Sequence, residues 1–333
     1  MRKEAAARPP VSFIAWSRVS GRSHEIAAAL DGDARCFYDF GIVDRKLVPI
    51  RYLLSAIRTV LYLLRVRPRA VIASNPPIFP GLIAYLYGRV TGAKVVLDSH
   101  PSSFALDETS KVANLTQPLT RFLVPRVQLT MVTVDRLAEI VREQGGRAEI
   151  VHEATPPWKL PAARPLGERP KVLLVNIFAA DEPFDVVVEA ARQLPGVDFL
   201  ITGDLRKCPP ELQESRPENV TFTGFLDQRR YLEAMAEANV VMTLTERPED
   251  VSRAACEAIF ARRPLIVSDW PAARRYFPHA IGVENTPGQV AAGVRDALER
   301  YDELREESEV ARRELQERWQ RQLQTLRETV DAR

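Results

Sequence analysis

Short apolar runs of strand type alternate with longer stretches of helical periodicity along the whole chain. In the first half, residues 11–15, 70–73, 94–98, 129–133 and 149–151 predict strands, with helices from near Ser23 and over 51–67, 78–90 and 134–144 between them. The second half repeats the pattern: strands at 171–176, 199–202, 220–223, 240–244, 265–267 and 281–283, helices between most of them, then a charged helical region over 288–330. Such alternation predicts α/β units built on parallel sheets. A length of 333 residues is long for one core and comfortable for two. Between the halves, Pro156, Pro157, Pro161, Pro165 and Pro170 keep the chain extended. The expected organisation is a domain over 1–153, a linker over 154–170, a second domain over 171–300 and a C-terminal helix over 301–333.

Two of the helical stretches carry more than a core face. Over 51–67, Leu53, Leu54, Ile57, Val60, Leu61 and Leu64 fall at helical spacing, with Arg51, Arg58, Arg65 and Arg67 among them. Such a helix either packs on a sheet, the default, or lies on an anionic bilayer. Over 288–330 an apolar stripe runs from Leu298 through Tyr301, Leu304, Leu315, Trp319 and Leu326 to Val330. Packing in cis is expected of it, with a dimer seam as the alternative.

The stretch 245–271, TERPEDVSRAACEAIFARRPLIVSDWP, holds the densest candidate chemistry. Strands on either side make 250–262 the crossover helix of a βαβ unit, with Asp250 or Ser252 as N-cap. A helix start offers unpaired amides and the positive end of the macrodipole, so the amides of Val251, Ser252 and Arg253 would face phosphate oxygens. Two turns further in, Glu257 is placed to accept hydrogen bonds from a ribose diol. Glu249, eight positions earlier at the loop tip, is placed to touch the group beyond the phosphates. The alternative is a solvated loop acid and a surface helix acid.

Other strand ends add candidates. The loop after the first strand, WSRVSGRS, carries Gly21 and two arginines but no GxGxxG fingerprint. His100 follows the strand 94–98 at its carboxyl end, where open α/β sheets bind ligands. Gly203 and the run Gly224-Phe225-Leu226 would tolerate close approach of a base or ribose; plain turn chemistry is the alternative.

Charge sharpens the partner. Residues 1–165 hold 23 Lys and Arg against 14 Asp and Glu, net +9, and the rest hold 23 against 30, net −7. The basic half wants an anionic partner, such as a membrane surface or a phosphate-bearing acceptor. Nucleic acid is disfavoured, because aromatic residues are only 8% and are not interleaved with the basic ones. Cys36, Cys208 and Cys256 are odd in number and far apart, which argues against a disulfide framework and suits a reducing cytoplasm. The run VSFIAW is too short for a signal-peptide core, and no stretch approaches the roughly 20 apolar residues of a spanning helix. A cytoplasmic protein, peripheral on the inner face of the membrane, is the expectation.

Glu249, Glu257, Ala258 and the following PLIVSD strand resemble the signature of family-4 nucleotide-sugar glycosyltransferases of the GT-B fold. The NPP turn at 75–77 and the LDSH ending at 97–100 also resemble GT-B enzymes, among them the dolichol-linked mannosyltransferases. The resemblance implies two Rossmann-like domains facing across a cleft, an N-terminal one for the acceptor and a C-terminal one for the donor, with a C-terminal helix crossing back. It implies that Glu257 binds the donor ribose, that Glu249 lies against the donor sugar, that the 251–253 amides hold the diphosphate, and that the base sits near Gly224. It also implies that His100 contacts the donor sugar from the acceptor domain. The donor would be a UDP-sugar or a GDP-sugar and the acceptor lipid-linked or otherwise anionic. With no DxD-like motif, metal independence is expected, and the Glu pair leans the stereochemistry towards retention. One departure matters: the family's Arg and Lys after the first strand of the C-terminal domain are absent from 176–182, where Asp181 and Glu182 stand instead. The diphosphate would then rely on the helix start and on Arg253, Arg206, Lys207, Arg18 or Arg22. The alternatives are a GT-B sugar-nucleotide epimerase and an inactive GT-B binding module.

Overall fold

The computed structural model describes residues 10–18, 20–38, 40, 47–104, 111–153, 156, 158, 160–161 and 164–331. Of the predicted linker, positions 154, 155, 157, 159, 162 and 163 lie outside the described residues. The chain forms two compact units, residues 1–154 with 319–333, and residues 155–318.

The first unit runs β1 (Val11–Ala15), α1 (Gly21–Ala29), β2 (Asp33–Cys36), α2 (Val48–Val66), β3 (Ala70–Asn75), α3 (Phe79–Thr91), β4 (Lys94–Ser99), α4 (Lys111–Leu123), β5 (Leu129–Val132), α5 (Asp135–Glu143) and β6 (Ala148–Ile150). Its six strands are parallel in the order β2-β1-β3-β4-β5-β6. The central strands are covered on both faces, which is why they read as near-continuous apolar runs rather than alternating ones. β2 escapes sequence prediction because it is a polar edge strand in which only Ala34 is buried. Ser20 caps α1 by accepting from the Ser23 amide, and α3 stops at Gly92, whose φ of 76° suits glycine. Phe13, Ile72, Val96 and Met131 form a core with Ile26 of α1 and with Trp319, Leu326 and Val330.

The second unit runs β7 (Lys171–Leu174), α6 (Phe184–Arg192), β8 (Asp198–Thr202), α7 (Pro210–Glu214), β9 (Val220–Gly224), α8 (Gln228–Glu237), β10 (Val240–Thr243), α9 (Arg253–Phe260), β11 (Leu265–Ser268), α10 (Pro271–Tyr276), β12 (Ile281–Val283) and α11 (Pro287–Glu299), then α12 (Tyr301–Asp331). Its six strands are again parallel, in the order β12-β11-β10-β7-β8-β9. The chain winds outward from β7 to β9, returns, and winds the other way from β10. The topological switch point therefore lies between β7 and β10, and the crevice at their carboxyl ends is where such sheets take ligands.

The predicted helical region over 288–330 is two helices, broken at Arg300. Leu304 of α12 belongs to the second core, whereas Trp319 onward belongs to the first. The linker is tied to the second unit by Arg263, whose fully buried guanidinium donates to the carbonyls of Met235, Ala236, Ala261 and Pro161.

Candidate functional site

In the second unit, the two loops at the switch point are bound to each other. The Glu246 amide donates to the Asp181 carbonyl at 2.7 Å, Thr245 Oγ1 donates to Asp181 Oδ2 at 3.4 Å, and Arg247 Nε lies 3.2 Å from the same oxygen. Glu182, the other acid of the β7–α6 loop, turns back and accepts from the amides of Ile177 and Ala179 at 2.9 and 2.8 Å. Burial pushes its carboxyl up, against those two amides, which pull it down. The acids that stand where the family carries cations thus have structural tasks. Lys207 stands beside this loop, and a second cation, Arg247, arrives from the opposite side of the switch point. Sequence reasoning missed Arg247, although it lies within the stretch 245–271.

α9 begins at Arg253 with Ser252 as N-cap, and the Ser252 side chain makes no capping hydrogen bond. Ser252 Oγ instead accepts from Thr243 Oγ1 at 2.9 Å, so the cap's own hydroxyl is drawn towards the sheet. The Ser252 hydroxyl therefore does not compete at the helix start, the kind of place where an anion is favoured. Ser268, Asn285 and Trp270 hold the loop upstream: Ser268 Oγ accepts from the Thr245 amide, while Asn285 Nδ2 and Trp270 Nε1 both donate to its carbonyl.

Glu257 is mostly buried and doubly held. Its Oε2 accepts from Tyr231 Oη at 2.6 Å, and its Oε1 accepts from Arg253 Nε at 2.9 Å. Burial and the neighbouring carboxylate push the Tyr231 hydroxyl far up, so it stays a proton donor. Each carboxylate oxygen has a second lone pair, so a diol could still bind. Glu249 is half-buried, and it has no hydrogen-bond or ion-pair partner among the described residues. One member of the pair is therefore fixed and the other unengaged.

The glycines divide in the same way. A Cβ on Gly203 would come within 2.5 Å of the Phe178 ring and 2.9 Å of Asn176 Oδ1, so packing inside the unit already requires this glycine. Gly224 has φ +74° and open space around it, followed by Phe225, which is 80% exposed. A crevice of about 770 Å³ opens beside the same loops, lined by Ala179, Glu182, Asp185, Lys207, Glu211 and Glu246 among others. Its four acids and one lysine give the wrong sign for a diphosphate, and neither Glu249 nor Glu257 lines it.

The candidates of the first unit stand at the carboxyl edge of their own sheet. Arg22 is buried and donates to both Asp98 oxygens, to Val151 O and to His152 O, with Glu153 Oε1 at 3.5 Å. Burial would raise the Asp98 carboxyl, but Arg22 and His100 outweigh it and hold it well below the usual range. Arg22 is thus no free cation for a diphosphate. Arg206 is likewise engaged, forking onto Asp204. His100 is partly exposed, with Nε2 3.6 Å from Asp98 Oδ2 and its amide held by Asn75 O and Ser103 Oγ. Gly21 is the first residue of α1 and exposed. Among the described residues no group of three His, Cys, Asp or Glu is arranged to hold a metal ion.

Residues 185–330 match the model of a family described as glycosyl transferase-like. No curated protein sequence matches the chain. Among solved structures, sucrose-phosphate synthase from Thermosynechococcus elongatus superposes with a TM-score of 0.74 at 14% identity, over 96% of this chain and 97% of its own. HepE of Anabaena, solved with UDP and glucose, gives 0.74 at 14% identity over 97% and 99%. A putative UDP-N-acetylglucosamine 2-epimerase from Listeria monocytogenes gives 0.60 at 10% identity over 90% of each chain. Across nearly its whole length the chain has the GT-B fold, and the stretch that resembles the glycosyl transferase-like family spans most of the second unit and the C-terminal helix.

Proposed function

We propose that this GT-B chain, with its glycosyl transferase-like domain, moves a sugar from a nucleoside-diphosphate donor to a lipid-linked or other anionic acceptor. The observation that carries the reading is the switch-point site of the second unit. A helix start whose N-cap side chain points elsewhere, Arg247 and Arg253 stand within one βαβ segment, β10 to β11, with the tethered Glu257.

In this reading the ribose diol donates to Glu257, which Tyr231 and Arg253 hold in place. The amides of Val251, Ser252 and Arg253 take the diphosphate, with Arg247 supplying the charge that the β7–α6 loop lacks. The base lies by Gly224, Phe225 and Leu226, and Glu249, which has no partner among the described residues, is left to the donor sugar. Breaking the anomeric bond puts negative charge on the departing diphosphate, where helix-end amides and a guanidinium act with no need of a metal. The anomeric configuration is retained. The likeness to HepE, solved with UDP and glucose, favours uridine over guanosine in the donor.

The test is a melting-temperature panel with uridine, guanosine, adenosine and thymidine diphosphates on the wild type and on Glu257→Gln, since a ligand of the folded state raises Tm. The expected result is a rise with UDP that the variant loses. A rise with none of the four would overturn the donor site. Incubation with UDP-glucose in chelator then reads slow transfer of the glucosyl group to water: UDP release is expected to persist, and its restoration only by a divalent ion would refute metal independence.

A further inference from the structure

α2 is built inside out. Its buried positions are Ser55, Thr59 and Leu63, and the two hydroxyl residues are satisfied there: Thr59 Oγ1 accepts from Trp16 Nε1 and donates to Ser55 O, and Ser55 Oγ donates to Phe37 O. The larger apolar side chains face away from the sheet. Ile50, Leu53, Ile57, Leu61 and Leu64 fall within about 80° around the helix axis at 3.6 residues per turn, and Leu53, Leu61 and Leu64 are 60%, 61% and 57% exposed. A helix whose only task was to cover the sheet would carry these residues inward.

The surface continues on the neighbours. Right-handed crossovers set α2, α3 and α4 on one face of the first sheet, with α2 against α3 and α3 against α4. Leu86 and Val90 of α3 and Leu115 of α4 are exposed as well, Val90 at 86% and Leu115 at 81%. The three helices hold no Asp or Glu at all. They do hold Arg51, Arg58, Arg65, Arg89 and Arg121, none ion-paired to a carboxylate among the described residues. On α2, Arg51, Arg58 and Arg65 line up seven apart, about 100° from the centre of the apolar stripe. Arg51 and Arg58 are braced over the rings of Tyr38 and Phe40.

We propose that this face docks the first unit on an anionic lipid bilayer, with the α2 leucines entering the acyl boundary and the flanking arginines meeting lipid phosphates. An apolar stripe edged by cations, on helices that hold no carboxylates, matches a bilayer interface, in which apolar and anionic layers lie in that order. A second copy of the same face would bring arginines against arginines, which opposes a symmetric dimer here. The proposal does not rest on the sugar-transfer reading.

The test is flotation with vesicles of phosphatidylcholine alone and of phosphatidylcholine with phosphatidylglycerol, at low and high salt. Binding to the anionic vesicles is expected to be at least tenfold stronger than to neutral ones and to weaken with salt. Leu53→Glu with Leu61→Glu is expected to abolish it, and Arg65→Glu with Arg89→Glu to weaken it severalfold. All four side chains are exposed, so both variants are expected to keep the wild-type Tm and the wild-type response to UDP. Absence of flotation, equal flotation on neutral vesicles, or wild-type flotation of the leucine variant would overturn the proposal. So would a dimer, seen by light scattering, that the leucine variant dissolves.

Discussion

The carboxyl edges of the two sheets carry similar sets of charges and put them to opposite uses. At the edge of the first, Arg22 and Asp98 are buried together, and both carboxylate oxygens and the guanidinium are consumed by each other and by the β6 exit. At the edge of the second, Arg247, Arg253 and Glu257 are also paired, but the two arginine side chains are 40% and 36% exposed. A buried pair has its partners fixed by the cost of leaving either charge alone. A half-exposed pair can exchange a partner for a ligand at little cost. Burial, more than residue type, separates a structural arginine from a candidate phosphate ligand.

The sharpest way to break this contrast is Arg22→Met. It leaves Asp98 charged and buried without its main partner, and about 3–5 kcal/mol of stability is expected to go, measured by chemical denaturation. Because the Asp98 carboxyl is held below its ordinary value, the pair's contribution is complete above about pH 4 and is lost as pH falls towards the depressed value. Wild type should therefore lose stability in acid more steeply than Asp98→Asn. A flat difference between the two from pH 5 down to pH 2 would show that the pair does not stabilise the fold. Next in size, Glu257→Gln is expected to weaken UDP binding by roughly 10- to 100-fold, as removing a charged hydrogen-bond acceptor does, with Tm nearly unchanged. Arg247→Ala should cost UDP about tenfold and uridine nothing; equal losses for both would mean that Arg247 does not meet the phosphates. The smallest effect, about fivefold, is expected from Phe225→Ala through lost stacking on the base.

Much of the fold was legible because both sheets are parallel and their inner strands are buried on both faces, so strands such as Val11–Ala15 and Leu265–Ser268 stand out as apolar runs. What stayed hidden depended on partners distant in sequence. Arg22 reads as a loop cation until Asp98, 76 residues away, is set against it. Asp181 and Glu182 read as a missing phosphate clamp, yet one braces Arg247 and the other caps its own loop. Gly203 reads as an open door for a base, and the space is filled by Phe178, held at φ 56°. The apolar pattern of α2 was plain, but its direction was not: periodicity gives a stripe without saying which way it points. The pair Glu249 and Glu257 was found because its spacing is local; the tether from Tyr231, on another helix, had no local signal.

The last helix has a consequence for how the chain is made. Trp319, Leu323, Leu326 and Val330 lie in the same core as Val11, Phe13 and Ile26, some 300 residues earlier. During synthesis the first sheet leaves the ribosome early with that side covered only in part, by α1, and it must wait while the entire second unit is translated before the rest of its cover is delivered. Domains generally fold in the order in which they emerge, but here the order should invert. The second unit, whose core closes by Leu304, can finish first, and the unit begun first is completed last.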